Sequence, residues 1–170
     1  MKLTQKLLKK HLRYDRNTGV FVWRISNYGR NAGGISVGDI AGCENVVGYI
    51  VIRVFNRLYL AHRLAWLYCH GSFPISNIDH KNQTKSDNRI LNLRLASKSQ
   101  NAMNSKIPAN NTSGYRGVSY HKQTEKWRAR LTVNGREKII GYYGSPLKAS
   151  EEYKKYAQHY YGEFFSEATA

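Results

Sequence analysis

From Ile78 to Asn101 the chain runs IDHKNQTKSDNRILNLRLASKSQN. Residues 75–80, ending in Asp79-His80, read as a short strand. A polar loop follows from Lys81 to Asn88, and Ile90-Leu91-Asn92-Leu93-Arg94-Leu95 alternates like a second strand. Ser97 is placed to cap a closing helix through Asn101 and Asn104. Upstream, Ala61-His62-Arg63-Leu64-Ala65-Trp66-Leu67-Tyr68 carries apolar residues at helical spacing and stops at Gly71. The order is therefore helix, strand, loop, strand, helix. Asn92 lies 12 residues beyond His80, and Asn101 lies 9 beyond Asn92.

Phosphodiester hydrolysis needs a base to activate water and a cation to stabilise charge on the phosphate and leaving oxygen. A neutral histidine is a proton acceptor at physiological pH. A carboxylate and an amide oxygen can hold Mg²⁺, with waters and substrate completing the octahedron. On these residues, 59–104 resembles an HNH endonuclease of the phage and intron-homing type. The shared pattern is a His-Arg helix, an Asp-His strand end, an Asn-Leu-Arg strand and a closing Asn. The resemblance implies a ββα-metal core with His80 as general base and Asp79 and Asn101 as metal ligands. Asn92 would brace the loop so that His80 stays aimed. The last position is Asn101 where most such motifs have His, as in an H-N-N variant, which favours one Mg²⁺ or Mn²⁺ ion over zinc. Adjacent strand residues point to opposite faces, so a bend is expected at Asp79-His80. His62 could assist the leaving group or simply pack its helix. Arg63, Arg89 and Arg94 are candidate phosphate clamps, and Asn104 is a fallback ligand.

Beyond a linker at residues 107–113, three strand-like runs (116–120, 127–133 and 137–143) are followed by a helix opened by Pro146 and ending near Gly162. Asn134-Gly135 signals a hairpin. Gly114-Tyr115-Arg116-Gly117-Val118, Lys126-Trp127-Arg128-Ala129-Arg130 and Gly141-Tyr142-Tyr143-Gly144 resemble the DNA-binding domain of plant ethylene-response (APETALA-type) factors over residues 111–165. That resemblance implies a sheet in the major groove, with Arg116, Trp127, Arg128 and Arg130 as DNA contacts and Arg136 and Lys138 as further ones. Alternation sets Arg128 and Arg130 on one face with Lys126. Trp127, Ala129 and Leu131 fall on the other, so Trp127 is either core or contact. Towards the N-terminus, residues 4–13 suit an amphipathic helix. Tyr14-Asp15-Arg16-Asn17-Thr18-Gly19 reads as a turn and residues 20–23 as a strand. Glycines at 29, 33, 34, 38 and 42 mark a loop-rich stretch, and residues 48–54 and 58–60 read as strands around an Asn56-Arg57 turn.

The expected class is α+β in three parts. Residues 1–57 form a β-rich DNA-gripping lead-in, 58–107 the nuclease core and 108–170 the C-terminal DNA-binding module. Lys plus Arg number 27 against 11 Asp plus Glu, a formal charge of +16 among 170 residues. By segment the excess is +7 over 1–60, +5 over 61–107 and +4 over 108–170. Basicity this widespread points to a polyanion partner, here double-stranded DNA. Charge alone favours a protein that coats nucleic acid without chemistry over a nuclease. Cys43 and Cys69 lack CxxC partners, so no structural zinc and no disulfide framework are expected, and unpaired thiols fit a reducing cytoplasm. No stretch has the apolar length of a membrane span, and the first residues lack a secretory pattern. A monomeric, site-specific homing-type endonuclease is the leading expectation. The alternative is a non-catalytic DNA-binding regulator, and RNA binding ranks third.

Overall fold

Thr4 opens the first helix, α1 (Gln5–His11), by accepting a hydrogen bond from the Leu7 amide, and Leu8 is buried beneath it. The computed structural model describes residues 2–26, 34–105, 107, 109–133 and 135–165. Gly29 and Gly33 of the loop-rich stretch, Pro108 of the linker and Asn134 of the hairpin signal lie outside the described residues. Instead of continuing the helix, the chain passes directly into β1 (Leu12–Tyr14) and returns as β2 (Phe21–Trp23), with Tyr14 opposite Phe21. The Asp15 side chain accepts from the Asn17 and Thr18 amides to shape the turn between them.

A three-stranded antiparallel sheet follows, in the order β3 (Cys43–Glu44), β4 (Ile50–Val54), β5 (Arg57–Leu60). Its tight turn lies at Phe55-Asn56, one residue before the expected position, with both residues at positive φ, as a twisted two-residue hairpin requires. Helix α2 (Ala61–His70) buries Ala61, His62, Leu64, Ala65 and Leu67 and ends in left-handed Gly71. The next two strands, β6 (Asn77–His80) and β7 (Leu93–Ala96), pair with each other. Residues 90–92, expected as part of a strand, instead form one 3₁₀ turn with the Asn92 amide bonded to the Arg89 carbonyl.

Helix α3 (Lys98–Met103) starts in a capping box made by Ser97 and Gln100. A second three-stranded sheet, β8 (Val118–His121), β9 (Lys126–Val133) and β10 (Arg136–Tyr143), has β9 at its centre. It is backed by α4 (Pro146–Tyr161), whose Ala149, Tyr153, Ala157 and Tyr161 are buried with Val118, Ala129 and Leu131. The class is α+β.

Packing divides the chain into two units, residues 1–95 and 96–170. One core runs through the first unit and includes Leu8, Leu12, Phe21, Ile52, Val54, Leu64, Leu67, Ile78 and Leu93. Each fully buried Leu, Ile or Phe contributes about 1.5–3 kcal/mol. Residues 1–57 therefore share a core with α2, β6 and β7. Residues 98–105, grouped by sequence with the nuclease core, fall in the second unit. Among the described residues, no helix is long and apolar enough to cross a membrane.

Candidate active site

His80 is the last residue of β6 and is 5% exposed. Its carbonyl accepts from the Gln83 amide, so the strand ends in a turn immediately after it. Nε2 stands 3.4 Å from Asn88 Oδ1. The ring meets the edge of His62 at 5.0 Å between centroids, and Tyr49 packs against both imidazoles. Burial holds the His80 pKa below its ordinary value, while Asn88 and the Asp79 charge act in the opposite direction. His62, on α2, is pushed down to about 3, first by burial and then by the charges of His80 and Arg63. Its Nδ1 is buried without a hydrogen-bond partner.

Asp79 is also buried, but its side chain has a different neighbour. Arg94, on β7, places both Nε and an Nη 2.8 Å from Asp79 Oδ2, and the side chains are only 10% and 5% exposed for Arg94 and Asp79. Asp79 and His80 are thus both buried and each has its own partner.

Asn92 holds the intervening loop at several points. Its Oδ1 accepts from the Asn82 amide, its Nδ2 donates to Asn82 Oδ1 and the Asp87 carbonyl, and its own carbonyl accepts from the Lys81 amide. Asn88, a turn residue in the sequence, is 2% exposed. Tyr14 donates to its carbonyl at 2.6 Å, and Gly19 lies so close that a Cβ there would sit 2.5 Å from the Arg89 nitrogen. The N-terminal hairpin therefore supports the segment that faces His80. Beside it, Arg16, Lys81 and Arg89 join Asn17, Asn82, Leu91 and Asn92 around an open basic cleft. Arg16 and Lys81 were not singled out in the sequence, because neither belongs to a motif. Arg89 is paired with Asp87, and Arg63 donates to the Pro74 carbonyl at 3.1 Å.

In the second unit, Asn101 is exposed on α3 and Asn104 is buried at its C-cap. Arg116 donates to the carbonyls of Ala102 and Ser105 and to the Ser105 hydroxyl, and does not extend from the sheet. Residues paired across an antiparallel sheet share a face. On the face away from α4 lie Ser119, His121, Lys126, Arg128, Arg130, Glu137 and Tyr142. Arg130 pairs with Glu137 there, and the Arg128 Nε is buried without a partner. Trp127 is half-buried against the core on the opposite side. Arg136 is opposite Val133 and Lys138 opposite Leu131, which puts both on the α4 side. Lys138 donates to the Tyr160 hydroxyl and lies over the Tyr156 and Tyr160 rings. Arg116, Arg136 and Lys138 thus lie apart from the face that carries Arg128 and Arg130.

Among the described residues, no group of three or more His, Cys, Asp or Glu is gathered as a metal cluster. A carboxylate such as Asp79 combined with an amide oxygen is the donor chemistry of a hard, hydrated cation, and the residues fit Mg²⁺ or Mn²⁺ in that sense. An ion held by Asp79 would have to share that carboxylate with Arg94.

The chain belongs to the HNH endonuclease family, whose profile matches residues 59–103, from β5 through α3. Over 89 residues it is 36% identical to Protein 3.8 of Escherichia phage T7, a match covering 50% of this chain and 74% of that protein. No solved structure matches the chain with significance.

Proposed function

We propose that this protein is a metal-dependent endonuclease that hydrolyses phosphodiester bonds in double-stranded DNA, as a site-specific, homing-type monomer. The observation that carries this reading is the His80 imidazole, buried at the end of β6 within the family segment, where burial favours its neutral form and Asn88 Oδ1 stands 3.4 Å from Nε2. As general base, the neutral His80 imidazole takes the proton of an attacking water. Asp79 and Asn101 would be the oxygen ligands for a Mg²⁺ or Mn²⁺ ion, whose charge would stabilise the phosphate and leaving oxygen. Asn92 keeps the loop, and hence His80, in register. Arg16, Lys81 and Arg89 receive backbone phosphates in their cleft. Arg63, Arg89 and Arg94 would bind phosphate beside, or in exchange for, their internal partners Pro74, Asp87 and Asp79.

The C-terminal sheet reads duplex with Arg128, Arg130 and Lys126 on its open face, and arginine forks there suit guanine edges. The relationship to a phage protein supports a mobile-element setting. One observation favours a second reading, a DNA-binding regulator without cleavage: Arg94 already neutralises the carboxylate that a cation needs. Incubating supercoiled plasmid and host genomic DNA with Mg²⁺ or Mn²⁺, with EDTA as control, separates the two. Cation-dependent nicked or linear product supports the nuclease; tight binding with intact DNA supports the regulator.

A further inference from the structure

Helix α3 has only six residues and buries none of them. A helix this short does not hold itself together in water, because nucleation costs more than a single turn returns. Its N-terminus is secured by the Ser97–Gln100 capping box. The other supports come from the C-terminal sheet unit. Arg116 donates to the Ala102 carbonyl at 3.1 Å, which also accepts from the Ser105 amide and hydroxyl, and to the Ser105 carbonyl just past the C-cap, placing a guanidinium at the helix end, where a cation is favoured. Met103 packs into the second core and receives the Tyr153 hydroxyl on its sulfur at 3.5 Å. The backbone carrying Arg116 is itself fixed. Gly117 has φ +68°, a Cβ there would sit 2.1 Å from the Tyr153 ring, and its carbonyl accepts from the Arg130 amide.

We propose that Arg116 is a positioning residue for the nuclease motif: it clamps the end of α3 and thereby fixes Asn101. The inference rests on the reading of Asn101 as a cation ligand.

The full-length protein carrying Arg116→Ala tests it, compared with Arg116→Lys, Met103→Ala and Asn101→Ala. The readouts are amide exchange across residues 98–103, the Mg²⁺ concentration giving half-maximal nicking, and the salt dependence of DNA affinity. Arg116→Ala should speed α3 exchange and raise the Mg²⁺ requirement, each by about tenfold, as expected for losing a charge-assisted hydrogen bond. Met103→Ala should shift both in the same direction, and Arg116→Lys should recover part of the effect. The slope of affinity against salt should stay unchanged. If that slope drops by about one, Arg116 is a phosphate contact and the proposal is overturned. Unchanged α3 exchange in both Arg116→Ala and Met103→Ala also overturns it. So does faster exchange with an unchanged Mg²⁺ requirement, provided that Asn101→Ala raises that requirement. If Asn101→Ala leaves the Mg²⁺ requirement unchanged, the ligand reading itself fails, and the proposal falls with it for that separate reason.

Discussion

Replacing Arg94 by Met should destabilise the first unit by about 3–5 kcal/mol, the cost of removing one partner from a buried charge pair. The two Arg94 nitrogens lie 2.8 Å from one Asp79 oxygen, and the side chains are 10% and 5% exposed, so solvent and salt screen the pair very little. A small domain is stable by only about 5–15 kcal/mol, so this single change removes a large share. Urea unfolding in a Trp127→Phe background isolates the first unit, because Trp23 and Trp66 then report on its core alone. Asp79→Asn should be costly by itself. The double variant should cost less than the two singles summed, with a coupling of about 2–3 kcal/mol. Millimolar Mg²⁺ should raise the midpoint of Arg94→Met more than that of the wild type, since a cation can then replace the missing guanidinium. Additive single costs, or a loss below about 1 kcal/mol for Arg94→Met, would refute the electrostatic reasoning.

His62 supplies an acid-lability test. Its folded pKa, at about 3, lies below the ordinary value of 6.5, so the unfolded chain binds the extra proton first. Stability should be intact above pH 6.5 and fall by at most about 1.4 kcal/mol per pH unit below it, down to about pH 3; His62→Gln should flatten that slope in pH-dependent denaturation. The acid limb of the cleavage profile should lie below pH 6.5, following the direction of the His80 shift, and Asn88→Ala should move it lower by removing a bond that favours the protonated ring. Gly19→Ala should cost more than about 1 kcal/mol in thermal unfolding and slow cleavage, because a Cβ at φ +75° meets the Asn88–Arg89 backbone. In DNA titrations, Arg128→Ala should lower the salt slope by about one, whereas Lys138→Ala, held on the α4 side, should leave it unchanged.

Elements with local punctuation were legible in the sequence. Ser97 marked α3, Gly71 closed α2, Pro146 opened α4, and the two-residue alternation sorted β9 into an arginine face and a core face. What escaped depended on distant partners. Leu7, Leu8 and Leu12 read as one helical stripe, yet Leu12 pairs with Trp23 and starts a strand. Residues 90–92 alternate like a strand, but the side chain of Asn92 bonds the loop and goes with a 3₁₀ turn. Asn88 looks like any polar turn residue, and its burial follows from Tyr14 and Gly19, far earlier in the chain. Nothing in Gly114-Tyr115-Arg116-Gly117-Val118 indicates that its arginine ends another helix. The position of Lys138 follows from strand pairing: with Arg136 opposite Val133, it falls opposite Leu131, on the core side.

The most direct measurement compares wild type with His80→Ala for both DNA affinity and Mg²⁺-dependent cleavage on the same substrate. The account predicts that cleavage is lost, by about 100-fold or more for removal of a general base, while affinity is retained. Cleavage by His80→Ala at the wild-type rate would contradict it.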